Sequence, residues 1–280
     1  MVYIIVLLAA LLHASWNGIL KHSKNRVRSL FLNRLVAVLL GLMLITILPR
    51  INSDAIPYLL IATAIHLVYF WSLLSAYKLG DFSQVYPISR GLSPLLILFA
   101  GWAFNADQLP MSSTAGIILV GFGIMLLAKS QTPQSSKPLL FAVVTAFCIA
   151  GYTLASGAGV RVSQSFLVYA AWLEAFSGIL FTGSVLLTRY QQLELQLLTW
   201  PRARIDLLSG IMASGGFAVA LWAMTEIPIA AVAALRETSV IFAALIGWLI
   251  LREGFGIRRV FASILVFVGI AILLYPALSA

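Results

Sequence analysis

Charge is scarce in this chain. Of its 280 residues only 10% are Asp, Glu, Lys or Arg, against about 25% in a soluble domain. That excludes an ordinary soluble globular protein. A hydrophobic share of 61% also excludes a disordered chain, which needs low hydrophobicity and high net charge. Cysteine is nearly absent: Cys148 stands alone between Phe147 and Ile149, so there is no disulfide framework and no Cys-based zinc site. It reads as an inert buried thiol. No GxxxxGK[ST], no HExxH and no His/Asp/Glu grouping with metal spacing occurs, so neither P-loop ATP chemistry nor a metal site is expected. No nucleophile–base arrangement is visible either. The expectation is a non-enzyme without catalytic residues or cofactor. Acidic residues number 9 against 18 basic ones, a net charge of +9. On a soluble protein that excess would suggest nucleic acid. On a membrane chain Lys and Arg collect in cytoplasmic loops, so no nucleic-acid partner is expected.

What the chain has instead is long apolar runs. A membrane helix needs about 20 mostly apolar residues. Ten stretches qualify: 2–20, 29–49, 57–77, 84–104, 112–128, 138–158, 164–188, 207–226, 228–251 and 260–276. The runs are continuous, without the period-2 alternation of a membrane barrel. The longest polar stretches are 129–137 and 189–206, which leaves no room for a soluble domain. The first run lacks a basic leader and reaches Leu20, so it reads as a retained helix, not a cleaved signal.

Basic residues set the orientation. The loops after odd-numbered spans hold Lys21, Lys24, Arg26, Arg28, Lys78, Lys129, Lys137, Arg189, Arg202, Arg204, Arg252, Arg258 and Arg259. The other side holds Arg50 and Arg161. This bias puts the odd loops in the cytoplasm and both termini outside.

Residues 90–127 resemble residues 236–273 at one constant spacing. Arg90 matches Arg236, Ser93 matches Ser239, Gly101-Trp102 matches Gly247-Trp248, and Gly123-Ile124 matches Gly269-Ile270. The pattern reads as a duplication with halves 1–137 and 138–280, five spans each. An odd span number makes the second half enter the membrane from the opposite side. The repeats are then inverted, with a substrate site near the midplane between them, as in secondary transporters. The expected fold is all-α integral membrane, ten transmembrane helices as two inverted five-helix repeats around a central cavity.

Several segments look like the drug/metabolite transporter superfamily in its ten-helix EamA-type branch. They are Trp16-Asn17-Gly18, Leu79-Gly80-Asp81 leading into Val85-Tyr86-Pro87-Ile88-Ser89-Arg90-Gly91, Leu235-Arg236-Glu237-Thr238-Ser239, and Leu251-Arg252-Glu253-Gly254. The resemblance implies two five-helix repeats around a cavity, with the fifth and tenth helices peripheral. The Tyr-Pro-Ile-x-Arg-Gly pattern also resembles a subgroup associated with phosphonate utilisation. Members of the superfamily often keep both termini in the cytoplasm, whereas the charge pattern here places them outside.

Polar residues inside the spans are the candidates for function, because a central charge costs about 2.5–3.5 kcal/mol on insertion scales. Arg90 lies roughly 9 Å into its span at 1.5 Å per residue. It reads either as an anion anchor, since guanidinium grips carboxylate or phosphonate with two prongs, or as a structural partner of Glu174 or Glu237. Arg236 holds the corresponding depth in the other half, with the same two readings. Arg34 is close enough to its span end to snorkel to the surface. Glu237 and Glu174 are candidate proton carriers or charge partners for arginine. His66 and His13 can titrate near neutral pH or serve as hydrogen-bonded interior residues. Trp16, Asn17, Tyr86, Tyr152, Trp172 and Trp222 read as cavity lining or as packing; an apolar cavity with few polar anchors is the usual small-molecule site. Trp102 and Trp248 read as packing. Pro87 and Pro94 interrupt the fourth span.

The reading that joins these features is a secondary transporter working by alternating access in the bacterial inner membrane. Its cargo is a small organic solute such as an amino acid, organic acid or aminophosphonate, and its drive is a proton gradient. Its partners are the bilayer, the solute and protons. The rival readings are an exporter of lipophilic cations using Glu174, a membrane enzyme or lipid flippase, and a non-transporting accessory subunit.

Overall fold

The computed structural model describes residues 1–80, 82–104, 109–128, 136–194, 199–242 and 257–278. Among these residues there is helix and no strand. The helices are α1 (Val2–His22), α2 (Arg26–Ile47), α3 (Ile56–Leu79), α4 (Phe82–Ala103), α5 (Met111–Met125), α6 (Ser136–Val162), α7 (Phe166–Arg189), α8 (Trp200–Glu226), α9 (Ile229–Arg236) and α10 (Ile257–Leu278). Local chemistry marks their starts. The Asn25 side chain accepts from Arg28 N–H at 3.0 Å at the head of α2, and Ser165 accepts from Val168 N–H at the head of α7, each satisfying an orphan donor. Proline in the first turn opens α3 and α8, where its missing N–H costs nothing.

Among the described residues six helices are long and apolar enough to cross a membrane: α1, α2, α3, α6, α7 and α8. The apolar stretches Met111–Met125 and Val260–Tyr275 are shorter. Helix α4 has 22 residues, but its serines, Arg90 and two prolines dilute its apolar character. Pro87 and Pro94 sit inside it without ending it. Pro94 has no N–H to offer the carbonyl of Arg90, one turn back, and the Ser93 hydroxyl donates to that carbonyl at 3.2 Å instead. This is how prolines are tolerated in apolar surroundings. Helix α9 stops after eight residues. A turn at Glu237-Thr238 follows, and helix resumes at 239–242. The remainder of the expected ninth span, with Gly247-Trp248 and Leu251-Arg252-Glu253-Gly254, lies outside the described residues, as do Asp81 and Lys129.

The helices pack in pairs that cross the middle of the chain. The most extensive pairings are α3 with α6, α2 with α7, α1 with α8, and α5 with α10. Helix α4 lies against α5 and α6, and α2 also packs on α8. Small residues allow these approaches. A Cβ on Gly41 of α2 would come within 2.6 Å of the Ala171 carbonyl oxygen of α7. A Cβ on Gly116 of α5 would meet the Gly269 carbonyl oxygen of α10 at 2.6 Å. The outward surface is apolar: Leu39, Phe99, Phe122 and Phe267 are exposed, as suits a lipid solvent. Trp102, expected to pack inside, is 57% exposed on this surface.

Candidate functional site

An apolar bundle that buries charge must give each charge a partner. The polar interior here is built from mid-helix residues. His13 lies roughly 16 Å along α1 from Val2, and Arg34, His66, Arg90 and Glu174 hold comparably central places in α2, α3, α4 and α7. All five are buried.

Two ion pairs run between the halves of the chain. Arg90 Nη1 donates to Glu237 Oε1 at 3.2 Å, joining α4 to the turn after α9. Arg34 Nη1 reaches Glu174 Oε2 at 3.5 Å, joining α2 to α7. Arg34 therefore does not snorkel to the surface. Its Nε and Nη2 also donate to Asn33 Oδ1 at 2.9 and 2.7 Å, and its guanidinium carbon lies 5.3 Å from the Phe70 ring centre. Glu174 Oε2 accepts a second bond, from the Ser214 hydroxyl at 2.8 Å. The polar seam continues along α2 and α8. Asn33 donates to Ser209 Oγ at 2.9 Å, and Ser29 donates to Asp206 Oδ1 at 2.6 Å.

His13 links one ion pair to the cavity. Its Nδ1 receives the Trp16 indole N–H at 3.1 Å, while its Nε2 touches Arg90 Nη2. Both neighbours are donors. A neutral imidazole has one acceptor nitrogen, so His13 can serve Trp16 or Arg90 but not both at once.

A small cavity of about 40 Å3 opens at this level. Its aromatic walls are Trp16, His66, Tyr69, Phe70, Tyr152 and Phe217, and its polar walls are His13, Arg34, Glu174 and Arg236. His66 stacks on Tyr152 with ring centres 4.0 Å apart and meets Phe217 edge-on at 5.8 Å. Its Nδ1 is bonded to the Ala62 carbonyl of its own helix at 2.9 Å, which requires Nδ1 to carry the proton. Ligand sites usually measure roughly 300–1,000 Å3. The cavity has space for water, so a solute enters only if the helices move apart.

Arg236 differs from the other interior arginines. It is 7% exposed, lines the cavity and sits over the Phe217 ring at 5.8 Å. Among the described residues no carboxylate lies in salt-bridge range of it and no hydrogen bond ends on it.

The residues singled out in the sequence fall into two groups. His13, Trp16, His66, Tyr152, Glu174 and Arg236 converge on the cavity. The others surround it or lie away from it. Arg90 and Glu237 pair with each other behind His13, leaving Glu237 Oε2 without a partner. Tyr86 is buried with its ring 5.5 Å from the Arg90 guanidinium carbon. Asn17 donates to the His13 carbonyl of its own helix at 2.9 Å, and its Oδ1 is buried without a partner. Trp172 is half-buried, edge-on to Phe176 of its own helix, and Trp222 is half-buried in α8; neither lines the cavity. Tyr69, Phe70 and Phe217 do line it but looked like ordinary span aromatics. The adjacent polar pair Asn33-Arg34 in an apolar run was the one available signal for the α2 contribution.

No curated protein sequence matches this chain. Its fold is shared with solved structures, 29 chains of which match. One crystal structure aligns over 99% of this chain and 98% of its own with a TM-score of 0.76 at 16% identity, a likeness of fold alone. The model of the EamA-like transporter family matches residues 136–275, half of the chain. That match, over helices long and apolar enough for a bilayer, assigns the chain to the EamA-like transporter family, as a multi-pass integral membrane protein of the drug/metabolite transporter type.

Proposed function

We propose that this protein is a secondary transporter that moves a small organic solute by alternating access. The observation that carries the reading is the central cavity, whose walls come from both halves of the chain and whose Arg236 has no counter-charge among the described residues. In this reading all ten helical segments span the membrane as two inverted repeats, 1–137 and 138–280. The packing supports that symmetry. Exchanging each helix with the one five places along turns the α3–α6 contact into α8–α1 and leaves α2–α7 and α5–α10 unchanged, and these are the most extensive contacts in the molecule. A pseudo-two-fold axis in the membrane plane gives this pattern, and rocking one repeat against the other opens the cavity to each side in turn.

The cargo is anionic or zwitterionic, with Arg236 as its anchor and Trp16 and Tyr152 among its walls. Arg90 serves the scaffold through Glu237. The proton gradient of a bacterial inner membrane drives the cycle, with Glu174 and Glu237 as carriers: one oxygen of each meets an arginine, and Glu237 Oε2 is buried without a partner. The basic loops place both termini outside. Export of lipophilic cations is the weaker reading, because the cavity wall carries Arg34 and Arg236 against the single carboxylate of Glu174.

The test is a thermal-shift panel on the purified protein in detergent, covering amino acids, phosphonates, organic acids, sugars, nucleosides and lipophilic cations. Solutes that stabilise it are then assayed for uptake into proteoliposomes with and without an imposed pH gradient. Saturable uptake of an anion or zwitterion supports the reading. Uptake of lipophilic cations alone overturns it.

A further inference from the structure

Among the described residues the buried charges do not cancel. The buried acidic residues are Glu174, Asp206 and Glu237, and the buried basic ones are Arg28, Arg34, Arg90 and Arg236. Glu174 is taken by Arg34 and Glu237 by Arg90. Asp206 lies near the start of α8, bonded to Ser29 beside Arg28. The surplus positive charge is therefore Arg236, and it faces the cavity. An uncompensated ion in a low-dielectric interior is costly, and Arg236 lines the cavity, where a solute can meet it.

We infer that the solute bound here is a monovalent organic anion, a carboxylate or singly ionised phosphonate carried on a flat apolar body. The inference rests on the transporter reading and narrows its cargo. One negative charge neutralises Arg236. A zwitterion is neutral overall and leaves the excess of Arg34 and Arg236 over Glu174 in the cavity wall uncompensated. A cation meets Arg34 and Arg236 with no unpaired acid. A sugar carries no charge to meet Arg236, and part of the wall's hydrogen-bonding capacity is already engaged. The Trp16 N–H is on His13, and the His66 Nδ1–H is on Ala62. Beyond Arg236 the wall offers ring surface, with Tyr69 and Tyr152 among its members. Arg236 lies over Phe217, and Phe217 meets His66 and Tyr152 edge-on. An anionic group gripped by the guanidinium thus places its attached body among these rings, where a planar group gains both apolar burial and ring contacts.

The test compares four probes with one ring and different charge: benzoate, phenylalanine, benzylamine and benzyl alcohol. Each is titrated against the full-length protein in detergent, read by tryptophan fluorescence and by thermal stability, with chloride as the competing inorganic anion. Benzoate is expected to bind, with affinity weakened about tenfold to a hundredfold by Arg236→Gln, the loss of a charged hydrogen-bonding partner. Arg236→Lys keeps the charge and is expected to recover part of it, which separates a lost anchor from a misfolded variant. Binding of phenylalanine or benzylamine as tight as benzoate overturns the monoanion and leaves the transporter reading intact. Chloride displacing benzoate at equal affinity overturns the flat body. Benzoate binding unchanged in Arg236→Gln, or no binding of any probe, overturns the proposal, while solute uptake in the wider panel still decides the transporter reading.

Discussion

Gly116 of α5 and Gly269 of α10 face each other backbone to backbone: a Cβ on either would meet the other's carbonyl oxygen, at 2.6 and 2.8 Å respectively. The crossing has no slack, because the obstructing atoms are main chain and cannot rotate aside. Gly116→Val is expected to force the two helices apart and destabilise the protein by about 1–3 kcal/mol, the usual range for overpacking. A melting curve in detergent reads it. An unchanged Tm means that α5 and α10 are not held this closely.

The Arg90–Glu237 pair predicts a non-additive pair of variants. Arg90→Gln leaves a buried carboxylate without its cation, and Glu237→Gln leaves a buried guanidinium without its anion. Breaking one side of a buried pair costs about 3–5 kcal/mol, whereas replacing both is far milder. The double variant should therefore be more stable than either single one in a double-mutant cycle of thermal unfolding. Additive losses would show that the two side chains do not interact.

His13 makes a spectroscopic prediction. With one acceptor nitrogen between two donors, its tautomer depends on which donor it serves. Trp16→Phe removes the indole N–H and should shift His13 to the form protonated at Nδ1, with Nε2 accepting from Arg90. Nitrogen-15 chemical shifts of labelled histidine distinguish the tautomers. Identical spectra before and after the substitution would show that Trp16 does not compete for this ring.

Much of the helical layout was legible because the apolar runs are long and continuous: nine of the ten stretches coincide with described helix, and the ninth does so over 229–236 and 239–242, its remainder lying outside the described residues. The site was legible only in part. Burial of a charge can be read from its depth along a run, but its partner cannot. Arg34 was read as reaching the surface because depth was counted along α2 alone; its partner Glu174 is 140 residues away. Orientation around a helix axis is equally hidden in an all-apolar span. Trp172 and Tyr152 both sit mid-span, and only the neighbours of α7 and α6 turn one away from the cavity and the other into it. Tyr69 and Phe217 carried no signal at all, since aromatic residues in a membrane span more often serve packing.

Orientation is testable through the single native cysteine. In a Cys148→Ser background, Lys24→Cys and Ser53→Cys place thiols in the loops after α1 and α2, at positions exposed to solvent. A membrane-impermeant maleimide added to intact cells should label Ser53→Cys and spare Lys24→Cys. The reverse pattern would put both termini in the cytoplasm.

Arg34 and Arg90, in the first half of the chain, find their counter-ions in the second. Arg34 waits for Glu174, and Arg90 for Glu237, which follows it by 147 residues. On the ribosome, α2 and α4 are therefore made and handed to the membrane long before the acids that neutralise them. Until α7 and α9 arrive, each guanidinium must be sheltered by water, lipid phosphate or the insertion machinery. The two halves of the chain thus cannot mature separately, and the completion of each nascent chain is what discharges its first half.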